Sequence, residues 1–435
     1  MTTFDQILPR VVESLRPHAA SLAGIDRIVI NRDLNGKVRL IIPEQVRTDT
    51  AIKAVIASIA EELTRRLGAH AFPAAQGVLF EEDLQAITHG RPCLPLESFR
   101  NVWIIDRLAT EGDWATITPV VKGSPRLVFF SIKGGVGRST ALAASSWALA
   151  QSGKRILVLD LDLESPGLSS ALLPEERRPA YGIADWLVED LVDNGDAVFD
   201  DLIATSTLAH DGEIYVAPAH GRNPGEYVAK LGRVWMSKPA PDGSREPWSG
   251  RLRRLIDAME ARLQPDLILI DSRAGIDEVA SCCITDLGAR LVLLFAVDGE
   301  QTWTGYRLLF RHWRQAGVAR EIRERLQLVG AMIPDDERRA AHFEGLRERA
   351  WDTFAGDLYD EIPAGEVGGE YWNFEEFDEG APHYPWAIRW NRGFASLLSL
   401  HTRFAAIDPA EVDAVFGPLI RGLLNALPGL GEDHG

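Results

Sequence analysis

Three cysteines in 435 residues are too few for a disulfide framework, and none stands in a zinc-type spacing. Long apolar runs are missing as well. The longest, Leu291 to Val297, is far short of a membrane-spanning helix. The amino-terminal segment carries Asp5 and Glu13 around no apolar core, which argues against a signal peptide. Together these absences predict a cytoplasmic chain with Cys93, Cys282 and Cys283 as reduced thiols. Basic residues are also short, with Lys+Arg 46 against Asp+Glu 63 and a net charge of −17. Strong nucleic-acid binding is therefore not expected, because phosphate affinity needs clustered Lys and Arg. Internal repeats and low-complexity tracts are lacking too.

What is present is an ordinary globular composition, 46% apolar and 25% charged, long enough for two or three domains. The charge deficit lies after residue 130, and its densest stretch, 351–380, holds ten acidic residues and no Lys or Arg. That stretch is either a solvated acidic loop or a partner-docking surface. Residues 1–124 predict a small α+β domain for interaction or regulation. Ile25 to Ile30 and Val38 to Ile42 flank a turn containing Asn35-Gly36, the pattern of a hairpin. A helix follows from Thr48-Asp49, with Ile52, Ile56, Ile59, Leu63 and Leu67 on one stripe.

From 125 the texture changes. Short apolar strands at 127–132, 155–159, 266–270, 290–297 and 326–333 alternate with helical stretches. This predicts an α/β fold, a doubly wound, mostly parallel sheet over 125–338. Residues 339–435 predict a helical extension, with helices near 341–356, 390–404 and 410–426, around the acidic aromatic-rich loop.

The first of these strands runs into Lys133-Gly134-Gly135-Val136-Gly137-Arg138-Ser139-Thr140 and then an Ala-rich helix. Three glycines let several backbone N–H groups face one anion, and the helix N-terminus adds its dipole. Ser139-Thr140 stands where a P-loop offers a hydroxyl to Mg²⁺. The spacing, with Lys133 before the glycines, resembles the deviant Walker A motif of the ParA/MinD branch of P-loop ATPases. Leu157 to Asp162 resembles that family's second acidic motif, and Ile270-Asp271-Ser272-Arg273-Ala274-Gly275 its Walker B and switch segment.

The resemblance implies ATP and Mg²⁺ as cofactors. It implies that Gly134, Gly135, Val136, Gly137, Arg138, Ser139 and Thr140 wrap the phosphates. Ser139 would ligate Mg²⁺ directly, with Asp160 and Asp271 near it through water. Lys133 would reach a partner subunit's nucleotide across a nucleotide-dependent homodimer, and Asp162 would orient the attacking water. Two residues depart from the family pattern. Arg138 replaces the P-loop lysine, and a planar fork in place of a point charge predicts slow hydrolysis. Arg273 replaces a proline and is either a surface switch residue or a cation at the γ-phosphate.

The leading expectation is an ATPase acting as a dimerisation switch through an unknown protein partner, in partitioning, positioning or defence. A non-hydrolysing nucleotide sensor and a synthetase of the dethiobiotin/cobyrinate type are the alternatives. The adjacent pair Cys282-Cys283 suits buried helix packing better than an iron–sulfur cluster. The apolar tail from Val415 lacks the basic face of a membrane-targeting helix and is expected to pack in the core.

Overall fold

Ile28–Arg32 (β1) and Val38–Pro43 (β2) pair antiparallel, as the hairpin pattern predicts. The turn is pinned by the Asp33 carboxylate, which accepts from the backbone N–H groups of Asn35 and Lys37 at 3.0 and 2.8 Å. Val78–Glu81 (β3), Cys93–Pro95 (β4) and Val102–Asp106 (β5) complete a sheet of order β3-β2-β1-β5-β4. Ile28, Ile30, Leu40 and Ile42 face a core shared with helices Ile7–Leu15 and Thr50–Leu67, while Val29, Ile41 and Ile105 face the other way. The second helix begins where Asp49 accepts from the Ala51 and Ile52 N–H groups. Its stripe of Ile56, Ile59, Leu63 and Leu67 is buried.

The computed structural model describes residues 2–88, 93–96, 98–108, 112–209, 211–240, 242–363, 371–395 and 400–427. It divides into two units, 1–113 and 114–435. The strands above belong to the first, and the boundary expected at 124 falls inside the second.

In the second unit, the strands Arg126–Ser131 (β6), Arg155–Asp160 (β7), Ala204–Thr205 (β8) and Glu213–Ala217 (β9) come first. A separate two-stranded ribbon follows, Lys238–Pro239 (β10) with Arg245–Glu246 (β11). Then come Leu267–Asp271 (β12), Leu291–Ala296 (β13), Leu326–Ile333 (β14) and Trp386–Arg389 (β15). The large sheet runs β15-β14-β13-β6-β12-β7-β9-β8. All its neighbours are parallel except β8, which lies antiparallel on β9.

Its strands are continuously apolar because both faces are covered. Val128 and Phe130 of β6 point into a core with helices Trp248–Leu263, Glu300–Ala316 and Arg339–Asp357. Leu127 and Phe129 point into the opposite core with helices Arg138–Gln151 and Pro409–Ala426. A doubly wound α/β architecture results.

The carboxyl-terminal hundred residues differ in part from a purely helical extension. Around 390, the expected helix gives way to β15, a turn at Arg392–Phe394 and a short helix Leu400–Phe404. Residues 396–399 lie outside the described residues. Asn391, whose side chain accepts from the Gly393 N–H at 2.8 Å, sets the turn there, and the alternating Trp386 and Ile388 suit a strand against β14. The apolar tail packs as expected, burying Val415, Phe416, Leu419, Leu423 and Leu427. Cys282 and Cys283 are buried in the turn Cys282–Asp286.

Candidate functional site

The glycine-rich loop leaves the carboxyl end of β6, the central strand, and opens helix Arg138–Gln151. Two of its glycines need the left-handed region, Gly135 at φ 75° and Gly137 at φ 83°. A Cβ built on Gly134, Gly135 or Gly137 would meet nothing within 4 Å. Sterics therefore do not require glycine at these positions; at Gly135 and Gly137 the backbone conformation does. Lys133, Gly134 and Gly135 are exposed, Val136 is buried, and Ser139 and Thr140 are half-buried.

The acidic residues arrive from the neighbouring strands. Asp271 ends β12 and Asp160 ends β7, and the two are register partners. Asp162 follows two residues later. Asp160 is fully buried, and neither carboxylate oxygen has a donor at hydrogen-bond geometry. Burial, then the Asp271 and Asp162 charges, push its pKa up to about 8, while the Ser169 and Gly167 amides temper the rise. Asp162 is raised as well, chiefly by burial, with Arg138 pulling the other way.

The sequence reading sets Arg138 against phosphate oxygens. In this structure its donors go elsewhere. The guanidinium is only 7% exposed. Nε donates to Asp271 Oδ1 at 2.6 Å, Nη2 to Asp162 Oδ2 at 3.3 Å, and Nη1 to the Ser131 hydroxyl at 3.2 Å. Burial opposes the charge, but Asp271, Asp162 and Asp160 together hold the guanidinium above the ordinary arginine range. One side chain thus ties together the ends of β6, β12 and β7.

Arg273 is likewise engaged, donating to Glu164 at 2.7 Å and to Asp277 at 3.2 Å. This contact joins the loop after Asp162 to the segment after Asp271. Ser131, Glu164 and Asp277 were absent from the sequence reading. The serine has a faint signal, a lone hydroxyl in an apolar strand two residues before Lys133; the two carboxylates have none. The structure brings Arg138, Asp160, Asp162 and Asp271 together beside the loop, while Lys133 is exposed and forms no ion pair among the described residues.

The glycine loop's backbone amides suit an anion, and Ser139, Asp160 and Asp271 bring only oxygen, the donor type that a hard divalent cation such as Mg²⁺ takes. Among the described residues no group of three or more His, Cys, Asp and Glu is disposed to hold a metal by itself.

A parallel sheet with a glycine-rich phosphate cradle at its central strand, and carboxylates on the strands beside it, defines a P-loop nucleotide-binding protein. Residues 127–346, half of the chain, match the CbiA model, described as the CobQ/CobB/MinD/ParA nucleotide binding domain. The chain belongs to this family.

A curated relative, an arsenical pump-driving ATPase of Aquifex aeolicus (strain VF5), is 42% identical over 67 residues. That stretch is 15% of this chain and 17% of the relative, so the chain spans about a sixth of that protein's length. Among solved structures, a ParA family ATPase from Chlorobium tepidum TLS matches with a TM-score of 0.44 and 15% identity, over 69% of this chain and 99% of that one. The septum site-determining protein MinD from Pyrococcus horikoshii OT3, complexed with Mg-ADP, matches with a TM-score of 0.40 and 19% identity, over 69% of this chain and 96% of that one.

Among the described residues, no helix is long and apolar enough to cross a membrane.

Proposed function

We propose that the chain binds ATP with Mg²⁺ at 133–140, hydrolyses it slowly, and works as a nucleotide-dependent homodimer acting through a protein partner. One observation carries this reading: a glycine cradle at the end of β6 lies beside the in-register carboxylates Asp160 and Asp271. The loop amides and helix N-terminus bind the phosphates, and Ser139 orients them through its hydroxyl. Mg²⁺, when bound, supplies charge neutralisation at the phosphates. Ser139, with Asp160 and Asp271, would hold it. Asp162 positions the attacking water, and Lys133, exposed at the mouth of the loop, serves the partner's site.

A second reading, a non-hydrolysing nucleotide sensor, draws support from Asp162, whose carboxylate is spoken for by Arg138. Calorimetry and turnover separate the two. Wild type is expected to bind ATP with Mg²⁺ and to turn it over, whereas Asp162→Ala binds without turnover. If wild type binds ATP and shows no turnover with or without partner extract, the sensor reading stands. If it binds no nucleotide, both fail. A partner that supplies an arginine has about 10³–10⁵ in rate to give.

A further inference from the structure

Arg138 is the feature that the nucleotide reading leaves unexplained. Its guanidinium is buried, and each of its three nitrogens has a partner on a different strand end: Ser131, Asp162 and Asp271. None of these partners is a backbone group of the glycine loop. Asp160, whose carboxylate oxygens have no donor at hydrogen-bond geometry, lies in the same cluster. In this arrangement the cation is covalently tethered, and it sits on Asp271, one of the two carboxylates that would hold a divalent ion, and on Asp162 beside it.

We propose that Arg138 is a built-in competitor of the divalent cation: its guanidinium neutralises Asp271 and Asp162 until nucleotide arrives, so that metal and nucleotide bind only together. The inference rests on the nucleotide-binding reading and goes beyond it by assigning Arg138 a gating role in metal entry. The physical argument is one of charge. Two cations drawn to one buried carboxylate repel each other, because a poorly solvated site screens nearby unit charges far less than water does.

A triphosphate entering the cradle changes the balance. It brings anionic oxygens next to the first residue of helix Arg138–Gln151, where the arginine side chain is rooted. Arg138 then has a second set of acceptors, and the carboxylates become available. Linkage makes the effect reciprocal: whatever nucleotide does for metal affinity, metal does for nucleotide affinity. An arginine suits this role better than a lysine. Its fork spans two carboxylates and a hydroxyl at once, which a single ammonium on a flexible stem does less well.

The test uses Mn²⁺ as a paramagnetic probe and the full chain. Free Mn²⁺ is read by electron paramagnetic resonance, first without nucleotide and then with ATP, each against a protein-free blank of the same Mn²⁺ and ATP because ATP itself chelates the ion. Wild type is expected to leave Mn²⁺ free in the absence of nucleotide. Its affinity should rise by about 5–150-fold with ATP, the usual range of site-to-site coupling. Arg138→Gln, checked for folding by thermal melting, is expected to take up Mn²⁺ without nucleotide. Adding Asp271→Asn to that variant should abolish the gained uptake.

A folded Arg138→Gln protein that binds no more Mn²⁺ than wild type overturns the proposal. So does wild type that binds Mn²⁺ equally with and without ATP. Should Arg138→Gln fail to fold, Arg138→Met, which keeps the bulk and removes the charge, is put through the same nucleotide-free titration, and uptake no greater than wild type overturns the proposal. ATP failing to bind wild type would instead overturn the nucleotide reading, and the nucleotide-free Mn²⁺ comparison would still judge Arg138.

Discussion

Gly137 and Arg138 are adjacent, yet they answer to different physics. Gly137 is fixed by backbone geometry: at φ 83° it caps helix Arg138–Gln151 from the left-handed region, which costs an ordinary L-residue about 1–2 kcal/mol and a β-branched one more. Gly137→Val is therefore expected to lower the melting temperature and to abolish binding of a fluorescent ATP analogue. Retained binding would show that the loop amides are not the phosphate ligands. This requirement was legible in the sequence, because glycine spacing reports backbone need directly. The partners of Arg138 were not. Which acceptors a long side chain chooses depends on strand ends that lie 24 and 133 positions away in the chain, at Asp162 and Asp271. The burial of Asp160 and the Arg273–Glu164 pair were hidden for the same reason.

Between elements, the acidic segment proves to be partly self-neutralised. Arg323 donates to both carboxylate oxygens of Asp360, and Arg347 pairs with Glu376. Residues 364–370 lie outside the described residues. What composition presents as one acidic run is, in part, a set of bridges into the helices before it, and ion pairing leaves no trace in composition.

A buried titratable group lies just after this segment. His383 is fully buried, with Nε2 facing the Glu376 carbonyl at 3.0 Å and Nδ1 facing the Tyr359 hydroxyl. A carbonyl only accepts, so Nε2 carries the hydrogen and Nδ1 accepts from Tyr359. Burial lowers the His383 pKa from the ordinary 6.5, against the pull of the Glu376 carbonyl and the Asp378 and Glu376 charges, with Arg347 adding to the drop. The neutral ring is thus the stable form in the fold. Its contribution is complete above the unfolded value and is lost as the pH falls below it. His383→Gln keeps one donor and one acceptor but cannot titrate. The melting-temperature difference between wild type and this variant is expected to move against wild type from about pH 7.5 to about pH 5.5. A difference that does not change over this range would mean that His383 is not the titrating group.

At the scale of the whole molecule, the α/β class and the existence of β6, β7, β12, β13 and β14 could be read from the sequence. Continuous apolar runs, each ending at a loop, admit few other arrangements. Less legible was the carboxyl-terminal segment, which adds β15 and helix Pro409–Ala426 to the same sheet unit. Its strand is only Trp386–Arg389, too short to show a period. Assembly is where the sequence makes its boldest demand. Lys133 stands exposed before the glycines, while the intrachain cation position is already filled by Arg138. A two-fold dimer presents this lysine twice. Light scattering with a slowly hydrolysed ATP analogue should show mass doubling that Lys133→Ala removes; a mass indifferent to nucleotide would refute the dimer.

The outermost strand of the large sheet bears on how copies of the chain can meet. β8 is two residues long and runs against the direction of every other strand. It leaves almost no ladder of free amides and carbonyls for another chain to continue, the usual way in which proteins keep sheet margins from recruiting neighbours. At the other margin, β15 follows Pro385 and loses register with β14 between Gly330 and Ile333. Both borders are thus poor templates for strand addition. Growth of the large sheet into a ribbon of many chains is disfavoured at both borders.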